Sequence, residues 1–82
     1  MDMANKAMIA GDYAEAERIY RLEIESLEKQ LGADHFELAL VMHSLALVLE
    51  IQQRYAEAES LRERTSEILL LHQRTQQENQ TG

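Results

Sequence analysis

The sequence predicts an all-α fold built from two copies of a helix hairpin. Its 82 residues include no proline and only three glycines. Alanine, leucine and glutamate, which all favour helices, dominate the composition. Aromatic residues make up only 5% of the chain, and β-branched residues are few, so strands are disfavoured. The pentapeptide Tyr-Ala-Glu-Ala-Glu occurs at residues 13–17 and again, 42 positions later, at residues 55–59, which is typical of a repeat architecture.

Glycines and acidic residues mark the bounds of the first two helices. The first helix is predicted over residues 2–10 and ends at Gly11, a residue type that often terminates helices. It looks truncated at its start, since only about two turns precede the glycine. The second helix is predicted to begin at Asp12, where Glu15 completes a capping box, and to end at Gly32.

Apolar residues three and four positions apart give the second helix one buried face. They are Tyr13, Ala16, Tyr20, Ile24, Leu27 and Leu31. On its exposed side, two oppositely charged pairs lie one helical turn apart: Glu17–Arg21 and Glu25–Lys29. Pairs at this spacing stabilise a helix by a few tenths of a kcal/mol each.

The third helix is apolar around most of its circumference. It is predicted to begin at a second capping box, formed by Asp34 and Glu37, and to run to about Gln52. Its apolar residues are Leu38, Ala39, Val41, Met42, Leu45, Ala46, Val48 and Leu49. A helix of this kind must be covered on more than one side, so we expect it at the middle of a stack.

The fourth helix is predicted to begin near Tyr55 and to place its apolar residues on one face. Residues 73–82 contain no apolar side chain, so we expect a polar, disordered tail there. The links between helices are short, which makes neighbouring helices antiparallel. The predicted domain therefore covers residues 1–72, with one repeat over about 1–32 and a second over about 33–72.

Charge and hydropathy exclude several classes of partner. The net charge is −7 and no basic patch exists, so a nucleic-acid backbone would be repelled. The longest apolar region, residues 38–51, is interrupted by polar residues and is too short to span a bilayer. No stretch resembles a secretory signal, and there is no cysteine. We therefore expect a cytoplasmic protein that binds neither nucleic acid nor membranes.

The chain carries no pattern that predicts catalysis, a metal site or a cofactor. Its three histidines are His35, His43 and His72. None of them lies three or four positions from a second ligand in the way that metal sites on helices require. The glutamates of segments 13–17 and 55–59 lie at helix starts, where capping and the helix dipole already account for them. No Gly-x-Ser-x-Gly motif is present, so we expect no enzymatic activity.

Four segments together resemble the tetratricopeptide repeat, and in particular the 42-residue variant typical of kinesin light chains. They are residues 10–17, 28–35, 45–46 and 53–59. The resemblance covers about residues 1–72 and places small residues where helices cross: Ala4, Ala16, Ala46 and Ala58. It implies stacked helix hairpins, each an A helix followed by a B helix. It also implies that the protein is a scaffold or adaptor that binds other proteins.

Two positions depart from that variant. The proline that usually follows its Asp-His pair is replaced by Phe36. The paired asparagines that often hydrogen-bond the backbone of a bound peptide are replaced by His43 and Ser44.

By the resemblance, the A helices line the inner face of the stack, where a partner peptide or helix would dock. The residues expected there are Asn5, Met8, Ile9, His43, Leu47, Glu50 and Ile51. The leucine and methionine would supply buried apolar contact, while Asn5, His43 and Glu50 would orient the partner. The alternative is that this face is only the outer surface of a small domain.

The run Ile68, Leu69, Leu70 and Leu71 suggests a second function. Four consecutive large apolar residues on a terminal helix cannot all face one hairpin, and an exposed apolar patch marks an interface. The patch could make the protein a structural unit that assembles into a homo-oligomer, most simply a dimer. It could equally be the uncovered end of a longer array of repeats.

Overall fold

The computed structural model describes the backbone of residues 2–81 and the side chains of residues 3–74. Its helices are α1 (Asp2–Ile9), α2 (Tyr13–Leu31), α3 (Phe36–Ile51) and α4 (Tyr55–Thr81). Each helix packs against the next one along the chain, and no strand occurs among the described residues. The predicted all-α architecture of two helix hairpins is therefore confirmed.

The turn between α1 and α2 closes with two backbone hydrogen bonds. The amide of Gly11 donates to the carbonyl oxygen of Met8 at 3.1 Å. The amide of Asp12 donates to the carbonyl oxygen of Ala7 at 2.8 Å. Gly11 has φ 80°, the left-handed conformation that this type of helix ending requires.

The turn between α3 and α4 repeats this arrangement 42 residues later. The amide of Gln53 donates to the carbonyl oxygen of Glu50, and that of Arg54 to the carbonyl oxygen of Leu49, both at 2.9 Å. Gln53 has φ 64°, so a residue with a side chain adopts the left-handed conformation that glycine adopts in the first turn. The repeat predicted from the pentapeptide thus extends to the backbone hydrogen bonds.

The helix α2 begins at the predicted Asp12 cap, but without a complete capping box. At α2, the side chain of Asp12 accepts a hydrogen bond from the amide of Glu15 at 3.2 Å, as predicted. The carboxylate of Glu15 does not complete the box, because it pairs with Arg18 instead. Both ion pairs predicted along α2 are also present: the distance from nitrogen to oxygen is 3.0 Å for Glu17–Arg21 and 3.5 Å for Glu25–Lys29. Glu25–Lys29 is exposed as expected, whereas the side chain of Glu17 is largely buried.

The capping box predicted at Asp34 is wrong. The N-cap of α3 is His35, whose Nδ1 accepts a hydrogen bond from the amide of Glu37 at 3.1 Å. His35 has extended backbone angles, with φ −75° and ψ 141°, so the helix begins one residue later than a cap at Asp34 requires.

The third helix forms the centre of the core, as its composition predicts. It packs against α2 on one side and α4 on the other. Its buried residues are Leu38, Ala39, Val41, Met42, Leu45, Ala46, Val48 and Leu49. The small residues expected at helix crossings are all buried as well: Ala4, Ala16, Ala46 and Ala58.

The fourth helix is longer than expected, because it continues to Thr81 through the segment for which the sequence suggests a disordered tail. No glycine or proline interrupts residues 55–81, and extending an existing helix requires no new nucleus. Among the side chains that the structure describes, Ile68 is the last buried one. A packed domain that ends near residue 72 remains a prediction.

The two repeats differ most on the outer faces of their B helices. Tyr13 packs against the core, whereas its equivalent Tyr55 is exposed. The buried Tyr20 of α2 has a charged equivalent in α4, Arg62. The physical reason is that α3 packs on α2, whereas the matching face of α4 carries no further helix among the described residues.

We predict that replacing Gln53 with glycine raises the free energy of unfolding by up to about 1 kcal/mol, because it removes the cost of a left-handed side-chain residue. The reverse change, Gly11→Ala, should lower it by about 1 kcal/mol. Apart from the adjoining residues of the chain, no heavy atom lies within 4 Å of the position that a Cβ at Gly11 would take, so this second effect is conformational. Urea denaturation of both variants measures the two effects. Equal destabilisation by both changes would contradict the equivalence of the two turns.

Candidate protein-binding surface

An exposed apolar row runs along the one side of α3 that the core does not bury. Leu40, Leu47 and Ile51 lie on it, with 42% to 48% of each residue accessible to solvent. Ser44 lies between them, half-buried, so the row follows helical spacing of three and four residues. Because α2 and α4 cover the rest of this helix, the row is the surface that α3 presents to other molecules.

The first A helix carries exposed residues at the equivalent positions. Asn5 and Ile9 of α1 correspond to Leu47 and Ile51 of α3, and both are exposed. His43 is also exposed, beside the row on α3. The structure therefore leaves these five predicted groove residues accessible, on two helices that both flank α2.

The other two predicted groove residues turn away from the row. Met8 is half-buried and packs against the core. Its repeat equivalent Glu50 forms an ion pair with Arg62 of α4. Met8 therefore faces the core, and Glu50 faces α4, where it already has an ion-pair partner. Only the packing between helices reveals these orientations, and a role of Met8 and Glu50 in a groove stays a prediction.

Leu40 is the row residue that the sequence analysis missed. It lies seven residues, or about two turns, before Leu47, so helical spacing alone would place it on the same face. Its exposure makes the apolar row longer than predicted at the N-terminal end of α3.

The predicted self-association patch is smaller than the sequence suggests. Ile68 is buried in the core, and Leu69 packs against it, so neither forms an exposed patch. Leu70 and Leu71 remain exposed, at 58% and 45%. Consecutive helical residues point about 100° apart, so a run of four must place some members toward α3 and others toward solvent.

A family model described as the tetratricopeptide repeat matches residues 1–70 of this chain. The chain belongs to the tetratricopeptide repeat family. No curated protein and no solved structure gives a match. The likeness to the kinesin-light-chain variant remains a prediction. Tetratricopeptide repeats generally mediate protein–protein interaction and are typically non-catalytic scaffolds.

In this tetratricopeptide repeat domain, a polar network joins the first repeat to the second. Glu17 of α2 accepts hydrogen bonds from Arg54 at 2.7 Å, from Gln52 at 3.1 Å and from Arg21 at 3.0 Å. Glu57 of α4 accepts from Arg54 at 2.8 Å and from Arg21 at 3.3 Å. The two glutamates and two arginines thus form a closed ring, which holds the start of α4 against α2.

The pKa of Glu17 shows the balance of forces in this ring. Its side chain is only 14% exposed, and this burial by itself raises the pKa. Hydrogen bonds from Gln52 and Arg21, together with the charges of Arg54 and Arg21, outweigh the burial, so the pKa lies below the ordinary glutamate value. The folded state therefore favours the ionised carboxylate.

Other kinds of site find no support in the described part of the tetratricopeptide repeat domain. No group of three His, Asp or Glu side chains among residues 3–74 is arranged to hold a metal ion. None of the helices within residues 2–81 has the length and apolarity that spanning a bilayer requires.

We predict that Glu17→Gln lowers the free energy of unfolding by about 1–2 kcal/mol at neutral pH, because the two arginines lose a partly buried charged partner. The folded-state pKa is lower than that of the unfolded chain. The contribution is therefore complete above the unfolded pKa and is lost as the pH falls through the folded pKa. Denaturation curves of both proteins should converge on acidification.

The matched control is Glu59→Gln, because Glu59 is the repeat equivalent of Glu17 but is exposed and forms no ion pair within the described side chains. It should change stability by less than about 0.5 kcal/mol. Equal effects of the two substitutions would show that the ring does not stabilise the fold.

Proposed function

We propose that this domain binds a peptide or helix of a partner protein along the exposed row of α3. The observation that carries the proposal is the apolar row itself, Leu40, Leu47 and Ile51, on the surface of an acidic protein. Its spacing suits a partner helix, whose own apolar residues would lie against it at intervals of three and four. Membership of a family that mediates protein–protein interaction supports the same conclusion.

The chemistry of the row defines what each residue contributes. Completing the burial of the three row residues would stabilise the complex by about 1 kcal/mol each, since each is already about half covered. His43 and Asn5 are exposed beside the apolar residues and can donate and accept hydrogen bonds. They would fix the orientation of the partner, while the leucines and isoleucine supply affinity.

The second candidate is self-association through α4, which the exposure of Leu70 and Leu71 favours. In a symmetric dimer, the same patch of each copy would contact its counterpart. Two side chains form a small interface, and both copies carry a net charge of −7, so electrostatic repulsion opposes this arrangement.

We predict that Leu47→Glu weakens partner binding at least tenfold, because a charge would then lie at the centre of the apolar contact. Leu22→Glu is the matched control, since Leu22 is 53% exposed but lies on α2 rather than on an A helix. Affinity capture from cells with both variants identifies partners, and titration of the captured protein measures the loss. If both variants bind like the unchanged domain, the row is not the binding surface.

For the second candidate, we predict that Leu70→Glu converts a dimer into a monomer, which light scattering at high micromolar concentration detects. Ser66→Glu on the exposed side of the same helix is the control for added charge. A monomeric mass for the unchanged domain at that concentration would eliminate self-association.

A further inference from the structure

The link between the two repeats ends at a histidine that caps a helix. Residues 32–35 connect α2 to α3, and His35 is the N-cap of α3. Its Nδ1 accepts a hydrogen bond from the backbone amide of Glu37 at 3.1 Å. Its carbonyl oxygen accepts another from the amide of Leu38 at 3.0 Å. The side chain and the backbone of His35 therefore both bind amides in the first turn of the central helix.

The hydrogen bond to Nδ1 defines the charge of the imidazole ring. A backbone amide can only donate, so the Nδ1 atom that faces Glu37 must carry a lone pair and no proton. The neutral ring then holds its one proton on Nε2. A second proton would bind to Nδ1 and turn the acceptor into a donor that faces another donor. The side chain of His35 can therefore cap α3 only while it is neutral.

The start of a helix also opposes a positive charge by itself. The unpaired amides of the first turn give a helix N-terminus a partial positive charge, which repels a cation. The cap of α2 has neither problem, because Asp12 accepts the amide of Glu15 through a carboxylate oxygen. Histidine ordinarily changes its charge between pH 5 and 8, a range in which an ordinary carboxylate stays an acceptor. We therefore expect the two caps to respond differently to acid.

Two carboxylates near His35 act in the opposite direction. Asp34 and Glu37 line the same pocket as the imidazole and would attract its protonated form. Both residues are exposed, so water and salt screen the attraction. An exposed ion pair generally stabilises a protein by less than a helix cap does. The loss of the cap therefore outweighs the attraction.

Groups on α2 and α4 do not reverse this balance. Arg64 of α4 pairs with Glu28 of α2 and donates a hydrogen bond to a carbonyl oxygen of the link at 3.4 Å. This pair brings one positive and one negative group to the link, so its net charge is zero. His72 of α4 lines the same pocket as His35 and stacks on Phe36, with 4.6 Å between the ring centroids. A proton on His72 would add positive charge there and weaken the neighbouring cap further.

We infer that His35 is a pH-sensitive cap, through which acidification loosens the junction between the two repeats. The neutral ring stabilises the start of α3, so this contribution is present at higher pH and is lost as the ring gains a proton. The freed turn contains Phe36, whose stack on His72 joins the start of α3 to α4. Leu38 in the same turn is fully buried, so the change is a local opening and not unfolding of the domain. The inference does not depend on what the exposed row of α3 binds.

The test compares the two caps within one molecule by amide hydrogen exchange, followed by NMR. Protection factors correct for the intrinsic effect of pH on exchange and so report the opening of each hydrogen bond. From pH 7.5 to pH 5.5, the protection of the Glu37 amide should fall about fivefold, which is the effect of losing an ordinary N-cap. The amide of Glu15, which Asp12 caps, should keep its protection. An equal fall at both amides would show a global change in stability and would overturn the inference.

Variants separate the cap from the other histidines. His35→Asn keeps a good N-cap without a titratable group, so the amide of Glu37 should be equally protected at both pH values. His43→Asn, on the exposed side of α3, is the matched control and should leave the fivefold fall unchanged. His72→Phe keeps a ring against Phe36 but removes its titration, and should retain most of the fall. Circular-dichroism melting curves confirm that each variant is folded.

The position of the ring proton gives an independent check. A long-range ¹H–¹⁵N spectrum of His35 should show Nδ1 without a proton at pH 7.5, and a proton there would overturn the inference. The same fall in His35→Asn, or its loss in His72→Phe, would also overturn it, since the cap would then not be the switch. Unchanged or greater protection of Glu37 in acid would show that the carboxylates outweigh the lost hydrogen bond, again contradicting the inference.

Discussion

The burial of α3 between α2 and α4 is the constraint on which the rest of the fold depends. Eight of its residues are buried, and they lie on nearly every side of the helix. Neither hairpin can cover such a helix by itself, because α2 belongs to one repeat and α4 to the other. The free energy of folding therefore comes from joining the repeats, as expected for architectures in which each unit contacts only its neighbours.

The two repeats have the same backbone conformation in their turns but carry different residues on their outer faces. Their turns make the same hydrogen bonds, with Gly11 and Gln53 in the same left-handed conformation. Their B helices diverge at the residues that would face a further helix, because Arg62 and Ser66 stand where Tyr20 and Ile24 are buried. The two B helices therefore present different outer faces: Tyr20 and Ile24 are buried on α2, whereas Arg62 and Ser66 are exposed on α4.

The same packing decides which surfaces remain for other proteins. Covering α3 on two sides leaves one apolar row exposed, formed by Leu40, Leu47 and Ile51. The ring of ion pairs around Glu17 holds the start of α4 against α2, so the two helices that cover α3 keep a fixed position relative to each other. Such a rigid arrangement reduces the entropy lost when a partner binds.

The sequence by itself determined the presence and order of the helices and the 42-residue period, but not where α3 begins or where α4 ends. Glycine stops, the Asp12 cap and ion pairs one turn apart, such as Glu25–Lys29, depend only on residues close together in the chain. The central place of α3 also followed from sequence, because no single face could bury so many apolar residues. The placement of Leu47, Ile51 and Ile9 on an accessible face was expected from the resemblance to the tetratricopeptide repeat, in which A helices line the inner face of the stack.

Only the tertiary structure decided which of several apolar or charged neighbours faces the core. It buried Ile68 while leaving Leu70 exposed, turned Glu50 toward Arg62, and left Leu40 uncovered. These outcomes depend on the register between helices that are distant in sequence, and a rotation of one residue moves a side chain by about 100° around its helix. Local patterns limit that rotation to a broad face, and packing against the neighbouring helix selects one position within it.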